Sequence, residues 1–314
     1  GNYIIKHSNK VISLDRFMTN YLMNRGAKSN ISTIPVWPVI DQVYHGYRMS
    51  NPFRLENNFG ERIVIMYSGN HAYVHPLDTL LQVALRLEDN SNFLFVFVGG
   101  GVRKKDVTEF KNKYQLDNII QLPFQPRENI HNSLGSSDIQ VVILGDGQVG
   151  YTHPNKVYGA LYIGKPILYI GPKQSHVGDI IDELSSNIFV EHGEVDRLVN
   201  ELYHFANLKI DVLEKIGSEN QKYAELNFHP EVLKNKMVEV STTLKFEDKE
   251  YNDKKSYFEI TDLHPTLTIP FKSVISLFHF KIDFSAKNNA SFFKSLLHPK
   301  GKSLGFGKSL FFAL

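Results

Sequence analysis

Cysteine is absent from the 314 residues of the chain. The absence excludes a disulfide framework, cysteine-ligated zinc, iron–sulfur clusters and thiol catalysis, and it fits a reducing compartment. Long apolar runs are absent too, because the longest, Phe93 to Val98, has only the length of a strand, whereas a membrane span needs about 20 apolar residues. The chain also opens without the pattern of a signal peptide, so we expect a cytoplasmic protein. Its first residue is Gly1 rather than Met, which suggests a fragment or a processed start.

A strong excess of one charge is lacking as well, since the net charge is only +2. The basic residues are nevertheless unevenly placed. From Phe271 to Leu314 there are seven lysines and one aspartate, with no arginine or glutamate. Such a segment is typical of a tail with its own partner, and 246–314 is interpreted as a basic Phe/Lys-rich tail of unknown structure. Anionic lipid at a membrane face is one partner for it. Nucleic acid is not expected, because the tail contains no recognisable binding module.

The first sixty residues show one periodic segment. Apolar residues recur at intervals of three or four over 11–26, beginning with Val11 and Leu14, and this spacing predicts a helix. A short strand is predicted from Ile31 to Ile34. Residues 39–60 have no clear period and many turn-forming residues, so the sequence predicts a linker there.

Strands and helices alternate from residue 61 onward. The predicted strands cover 62–67, 93–98, 119–122, 139–144, 166–170 and 188–190. The predicted helices cover 76–88, 102–114, 127–136, 155–163, 177–185 and 195–205. Because the strands are continuous apolar runs, they are typical of a parallel sheet that is covered on both faces. The fold class is therefore α/β, with one doubly wound parallel sheet over 61–225.

Two of the predicted strands end in glycine-containing segments, Ser68-Gly69-Asn70 and Gly99-Gly100-Gly101. Ligands of doubly wound sheets bind beyond the carboxyl ends of the strands, and glycine lets the backbone approach a ligand closely. Arg103, Lys104 and Lys105 follow the second segment, and they suit an anionic ligand. Neither segment has the spacing of a P-loop or of a dinucleotide fingerprint. The alternative is that these glycines only turn a strand into a helix.

Lys156 occupies an unusual place, in the first turn of a helix that starts near Pro154 and Asn155. The N-terminus of a helix is already positive, so a cation is unfavourable there. The choice makes sense if an anion lies between the two positive groups, and a diphosphate would be held by both. The alternative is a surface lysine that tolerates the position.

Several segments together resemble the donor-binding domain of family-4 glycosyltransferases, which have the two-domain GT-B fold. The central segment is 149–172, with Pro154-Asn155-Lys156-Val157-Tyr158, then Gly164-Lys165-Pro166 and Gly171-Pro172. The resemblance continues in 67–71, 77–81, 97–101 and 193–196, and it covers about 61–225. It is closest to bacterial members that build cell-surface polysaccharide.

The resemblance implies a division of the chain. Residues 1–40 would be the last helix and strand of an acceptor-binding N-terminal domain, most of which the chain lacks. Residues 41–60 would be the interdomain linker, 61–225 the Rossmann-like nucleotide-sugar domain, and 226–245 a C-terminal helix. The activity implied is transfer of a sugar, with retention, from a nucleoside-diphosphate sugar to a polysaccharide or lipid-linked acceptor.

The resemblance also implies a site that needs no metal or other cofactor. Catalysis would come from stabilising the departing diphosphate, and no general base is assigned. The residues expected at the donor diphosphate are Ser68, Gly69, Asn70, His71, Asn155 and Lys156. The residues expected at the cleft loop are Gly99, Gly100 and Gly101. The residues expected at the nucleotide base or ribose are Leu122, Pro123, Phe124, Gln125 and Tyr158.

Two observations limit this interpretation. The family commonly has two glutamates eight residues apart, the second of which binds the donor ribose, but Tyr151 and Gly159 occupy these positions here. His71 and His75 have a spacing found in zinc sites, yet no third ligand is evident. Two alternative functions stay open, a non-catalytic nucleotide-sugar-binding module that needs a partner and a nucleotide-sugar epimerase of GT-B fold.

Overall fold

The computed structural model describes residues 2–28, 30–38, 43–44 and 46–242, together with the backbone of three short strands farther along the chain. The chain divides into two compact units. The first unit comprises Gly1–Leu14, Met18–Pro35 and Glu231–Leu314, and the second comprises Asp15–Phe17 and Val36–Pro230. Among the described residues, no helix is both long and apolar enough to cross a membrane.

The chain begins with α1 (Asn2–His7), β1 (Lys10–Ser13), α2 (Arg16–Asn24) and β2 (Ile31–Thr33). The predicted helix over 11–26 is wrong in its first part, because Val11 and Ile12 lie in β1. Both side chains are fully buried, and β1 pairs in parallel with β2, with Val11 opposite Ile31. β-Branched residues favour such a pleated, buried position, and their spacing from Leu14 matches a helical period only by coincidence. The strand predicted from Ile31 is confirmed.

The segment predicted to be a linker contains a short 3₁₀ helix (Arg48–Ser50) and α3 (Pro52–Glu56). Its end packs into the second unit, because Phe53 and Phe59 are buried in an apolar cluster. The buried guanidinium of Arg54 donates to the carbonyl of Ser136 at 2.7 Å and lies 3.4 Å from Asp138. The expected linker from 48 onward is therefore part of the fold. A five-residue helix is too short to show a period in the sequence.

The second unit is built on one six-stranded parallel sheet, in the order β5-β4-β3-β6-β7-β8. The strands are β3 (Ile63–Asn70), β4 (Phe93–Gly100), β5 (Ile119–Leu122), β6 (Ile139–Ile143), β7 (Ile167–Ile170) and β8 (Ile188–Val190). This order is that of a Rossmann fold, in which the chain reverses its direction of progress between β3 and β6 and leaves a crevice. The α/β, doubly wound expectation is confirmed.

Helices cover both faces of this sheet, and α3 with its neighbouring residues contributes to one of the two faces. The helices that follow the strands are α4 (Asp78–Arg86), α5 (Lys104–Tyr114), α6 (Ile130–Gly135), α7 (Lys156–Ile163), α8 (His176–Glu183) and α9 (Val195–Ala206). Ile65 and Tyr67 pack on one face with α4 and α9, whereas Val64 and Met66 pack on the other with Phe53. Since successive side chains of a strand point to opposite faces, both sets must be apolar, which explains the continuous apolar runs.

The chain then forms α10 (Ile210–Phe228) and α11 (Pro230–Thr242). The boundary predicted at 225 falls within α10, and the predicted C-terminal helix over 226–245 corresponds to the end of α10 and α11. Most of the tail over 246–314 lies outside the described residues. Within it the structure places only β9 (Tyr257–Glu259), β10 (Thr268–Pro270) and β11 (Leu310–Phe312).

Candidate functional site

The ends of β3 and β4 differ from the predicted glycine loops. Both strands continue through these segments, with Gly69 opposite Gly99 and Asn70 opposite Gly100. Gly99 has a φ of +128°, and a Cβ there would collide with the Gly69 carbonyl and lie 3.2 Å from the Phe124 ring. A side chain at this position would therefore separate the two strand ends. The glycines bring two backbones and an aromatic ring together rather than form open loops.

Lys156 is the first residue of α7, and its side chain passes directly over the end of β3. A Cβ on Gly69 would lie 2.7 Å from Lys156 Cε and 3.3 Å from Nζ. The ammonium group is 4.8 Å from the centre of the Tyr67 ring. Burial lowers the pKa of Lys156 to about 8. Among the ion pairs of the described residues none involves Lys156, so the site keeps an uncompensated positive charge.

A cavity of about 190 Å³ opens beside this ammonium group. Its walls are Ser68, Gly69, Val98, Phe124, Gln125, Ile130, Ser133, Leu134, Gln140, Lys156 and Gly159. The walls combine the Lys156 ammonium group with apolar side chains and a few polar ones. Five of the residues predicted from the sequence are brought together in these walls, namely Ser68, Gly69, Phe124, Gln125 and Lys156. A positive group and an aromatic ring in one wall set can bind a ligand that has both anionic and apolar parts.

The segment after β5 supplies an aromatic wall. Phe124 is 61% exposed, and its ring lies against the backbone of Gly99 and Gly100. The Gln125 amide is occupied at both ends, since it donates to Pro123 O at 3.1 Å and accepts from Asn129 at 3.2 Å. Pro123 does not line the cavity. Leu122 packs instead against the apolar cluster of the sheet.

Ser133 was not expected at the site. It lies in α6, is only 1% exposed, and its hydroxyl has no hydrogen-bond partner among the described residues. The neighbouring Gln140 amide donates to Ser137 at 2.7 Å and to Leu134 O at 3.2 Å. A buried hydroxyl without a partner is uncommon, and in a cavity wall it is a group that a ligand can satisfy. The sequence carried no signal for it, because a serine in a polar helix is ordinary.

His71 and Asn70 lie at the strand ends, next to the cavity but not in its walls. His71 is 1% exposed, and its backbone N–H donates to Gly100 O at 2.7 Å. Its ring Nδ1 is 3.2 Å from the same oxygen, while Nε2 has no partner among the described residues. Burial lowers the pKa of His71, and the nearby Lys156 lowers it further. The ring is therefore neutral at pH 7.

His71 and His75, whose spacing is found in zinc sites, are not a pair on one helix, because both residues precede α4. The Nδ1 atom of His75 is 2.7 Å from Ile143 O. Burial lowers the pKa of His75 to about 4. Within the part of the chain that the structure describes, no cluster of three or more histidine, aspartate or glutamate residues could hold a metal ion.

Tyr158, Asn155 and Gly101 are further predicted positions that do not line the cavity. Tyr158 is buried, and its hydroxyl lies 2.7 Å from His153 Nε2 and 2.8 Å from His176 Nε2; burial raises its pKa. Asn155 is exposed, and it makes no side-chain cap on α7. Gly101 approaches the backbone of His71. The structure therefore does not bring Tyr158 to the space where a base or ribose would bind.

Arg103, the first of the basic residues after β4, is less available than the sequence suggested. Arg103 is paired with Asp106 at 2.6 Å and with Asp78 at 3.2 Å. Gly159, at one of the two positions where relatives have glutamate, does line the cavity, whereas Tyr151 is 54% exposed. A glycine supplies no carboxylate, so Lys156 supplies the charge in this wall of the cavity.

Comparison with known proteins agrees with this architecture. The family described as glycosyl transferases group 1 matches residues 51–223, more than half of the chain. The putative colanic acid biosynthesis glycosyl transferase WcaI of Escherichia coli is 24% identical over 196 residues, which are 60% of this chain and 47% of WcaI. The chain thus spans about half the length of the curated relative that it matches.

Two solved structures show the same fold. Anabaena Alr3699/HepE, solved in complex with UDP-glucose, matches with a TM-score of 0.66 and 14% identity over 77% of this chain and 66% of that one. A mutant of S. aureus TarM, solved with fondaparinux, α-GlcNAc-glycerol and UDP, matches with a TM-score of 0.60 and 15% identity over 76% of this chain and 45% of that one. The sheet order, the cavity at its switch point and the family match converge: the chain belongs to the glycosyl transferases group 1 family, and its larger unit has the α/β fold of GT-B glycosyltransferases.

Proposed function

We propose that this chain binds a nucleoside-diphosphate sugar in the cavity between β3, α6 and α7, as the donor-binding part of a glycosyltransferase. The single observation that carries the proposal is the position of Lys156. Its ammonium group is held against Gly69 at the start of a helix, and among the described residues it has no acidic partner. Because an anion at a helix N-terminus is stabilised by the free N–H groups and the helix dipole, a diphosphate would satisfy both positive groups.

Other residues of the cavity walls suit the nucleoside. The exposed Phe124 ring can stack with a base, and the unpartnered Ser133 hydroxyl can donate to or accept from its polar edge. The resemblance placed Leu122 to Gln125 at the base, and the cavity supports Phe124 and Gln125 in that role. For Tyr158 it offers no such support, since the hydroxyl is occupied by two histidines.

The chemistry proposed for the donor is departure of the nucleoside diphosphate with retention at the transferred sugar. Negative charge grows on the bridging phosphate oxygen as the glycosidic bond breaks, and a preformed positive group stabilises that charge. Lys156 is that group. We propose that no metal is needed, because this ammonium and the helix terminus supply the positive charge. Retention itself rests on the family resemblance.

The acceptor and the location follow from the family rather than from the site. WcaI is named for colanic acid biosynthesis, and TarM was solved with glycan ligands. We therefore propose a polysaccharide or lipid-linked acceptor and a cytoplasmic site of action, with the basic tail as a membrane contact. The family match favours transfer over the epimerase and the non-catalytic alternatives.

Calorimetric titration tests the donor site. The chain is titrated with UDP, GDP and their sugar conjugates, as wild type, as Lys156→Ala and as Lys173→Ala. Lys173 is an exposed lysine after β7 whose side chain lies 3.7 Å from Asp182, so its loss controls for the change in net charge. We expect binding of at least one nucleotide by wild type and Lys173→Ala, and a loss of about tenfold or more in Lys156→Ala. Equal affinity in all three proteins would refute the assignment.

A further inference from the structure

A chain of hydrogen bonds runs beside the start of α7 and takes no part in the cavity walls. Asp15 Oδ2 is 2.6 Å from His153 Nδ1, His153 Nε2 is 2.7 Å from the Tyr158 hydroxyl, and that hydroxyl is 2.8 Å from His176 Nε2. The side chains of Asp15 and His153 are 4% and 2% exposed, and Tyr158 is 1% exposed. Three separate segments of the second unit therefore meet in one buried polar chain.

The start of α7 is held by backbone hydrogen bonds, such as Val157 N to Pro154 O at 3.2 Å, but it has no side-chain cap. Asn155 makes no side-chain cap, and the first turn has no acidic residue. By contrast, α8 begins with Ser175, whose hydroxyl accepts from Gly178 N at 3.1 Å. The bond between His153 and Tyr158 closes a ring around residues 154–157. It replaces the missing cap, because it ties the residues on either side of the first turn to each other.

The hydrogen atoms of the chain can be placed in one consistent direction. The Asp15 carboxylate only accepts, so His153 Nδ1 donates to it. When His153 is neutral, its Nε2 accepts from the Tyr158 hydroxyl, and His176 Nε2 donates to the Tyr158 oxygen. Burial lowers the pKa of His176 to about 4, so His176 is neutral at pH 7. Every bond has a donor and an acceptor, which makes this arrangement specific.

Lys156 belongs to the ring of residues that the hydrogen bond between His153 and Tyr158 closes. Residues 155 and 156 lie between His153 and Tyr158. The rotation of this first turn therefore sets the direction in which the Lys156 side chain points. The space open to its side chain is narrow, because Gly69 leaves room for Cε only through the lack of a Cβ. A small rotation of the turn would move the ammonium group away from the end of β3.

We infer that Tyr158 and His153 are positioning residues, which hold the first turn of α7 so that the Lys156 ammonium group enters the cavity. The identity of the ligand that Lys156 binds rests on the proposed function. The position of the Lys156 side chain does not depend on it. The role gives Tyr158 a function near the Pro-Asn-Lys segment although it does not line the cavity.

The first test measures the environment of Lys156 without a ligand. In Tyr158→Phe the ring still packs on Phe228, whose centre is 4.7 Å away, and only the hydroxyl is lost. The readout is the titration of lysine ε-carbons by ¹³C NMR, with the Lys156 signal assigned by its absence in Lys156→Met. We expect the Lys156 pKa to be about 8 in wild type and to rise toward the ordinary lysine value in Tyr158→Phe.

Phe205→Leu is the matched control. Phe205 is buried in the cluster on the α4 and α9 face of the sheet, so its substitution lowers stability without touching the hydrogen-bonded chain. Its Lys156 titration should equal that of wild type. The inference is overturned if Lys156 titrates in Tyr158→Phe as in wild type, or if Phe205→Leu shifts it by the same amount.

The second test links the position of Lys156 to binding. By calorimetry, Tyr158→Phe should weaken UDP affinity about three- to tenfold, as expected for coupled groups. In the Lys156→Met background the same change should alter the affinity by less than about twofold. An equal loss in both backgrounds would overturn the inference. If wild type binds no nucleotide, the proposed function fails, whereas the NMR titration still decides whether Tyr158 positions Lys156.

Discussion

Replacing Lys156 with methionine should make the protein more stable while it weakens nucleotide binding. The lysine is mostly surrounded by protein, and burial lowers its pKa from 10.5 to about 8. At pH 7 the Lys156 charge is therefore poorly solvated in the folded state, whereas water solvates it fully in the unfolded state. The difference corresponds to about 3 kcal/mol. Methionine keeps a flexible apolar chain over Gly69 but loses the contact with Tyr67, worth about 0.5–1 kcal/mol, so we expect a net gain of about 2 kcal/mol.

The pH dependence of this stability gain shows whether the Lys156 charge is its cause. Below pH 8 the lysine is charged in both states, and the full penalty applies. Between about pH 8 and 10.5 the folded protein has lost the proton that the unfolded chain still holds, so wild-type stability rises with pH. The advantage of Lys156→Met should therefore be largest near pH 7 and should shrink toward pH 10.

Urea denaturation of wild type and Lys156→Met at pH 7 and pH 9.5 measures both effects. The exposed Lys173 supplies the control, because Lys173→Met should change the free energy of unfolding by no more than about 0.5 kcal/mol at either pH. If Lys156→Met is less stable than wild type at pH 7, or if its advantage does not vary with pH, an unrecognised group compensates the charge and the reasoning fails.

Three further substitutions test other parts of the site and fold. Ser133→Ala should weaken nucleotide binding by about three- to tenfold in calorimetry while stability is unchanged or slightly higher, since its buried hydroxyl has no partner to lose among the described residues; an unchanged affinity would remove Ser133 from the site. Gly99→Ala should lower the free energy of unfolding by about 2 kcal/mol or more in urea denaturation, because its Cβ meets the Gly69 carbonyl at a φ of +128°; a neutral effect would mean that the strand ends separate easily. Arg54→Met should lower the free energy of unfolding by about 3–5 kcal/mol in the same assay, because Asp138 and several carbonyls lose a buried donor. Arg62→Met, at the edge of the same cluster, should lower it by less.

The larger unit was predictable because its strands are buried on both faces. Ile119–Leu122 and Ile188–Val190 were predicted with their true ends, since short apolar runs between turn residues have few alternatives. The errors arise where tertiary contacts override local pattern. Val11 and Ile12 fit a helical period, but pairing with β2 holds them in a strand. Residues 52–56 form a helix that is too short to be periodic, and burial of Phe53 and Arg54 holds it in place.

Only those residues of the candidate site that a local sequence pattern marks could be predicted from the sequence. Strand-end glycines and the lysine at a helix start can be recognised locally, and they led to Gly69, Gly99 and Lys156. The network around Tyr158 joins Asp15 to a histidine 138 positions away, and no local pattern encodes such a contact. Ser133 has the same limitation, because only the packing of α6 against the sheet shows that its hydroxyl is buried without a partner in the described part of the chain.

Several departures from ordinary local chemistry in the second unit lie near one another. A lysine is half-buried at a helix N-terminus, a hydroxyl and a histidine Nε2 are buried without partners among the described residues, and Gly69, Gly99 and Gly101 have positive φ where the strands end. Each of these features costs stability, and an ordinary turn between a strand and a helix requires none of them. Sequences that are otherwise consistent tolerate such costs mainly at functional sites. The Lys156 ammonium group and the Ser133 hydroxyl are groups that an anionic, hydrogen-bonding ligand could satisfy, and both residues line the adjacent cavity. Under the proposed function the glycine segments border a binding site, and the stability gain expected from Lys156→Met measures what the buried charge costs the fold.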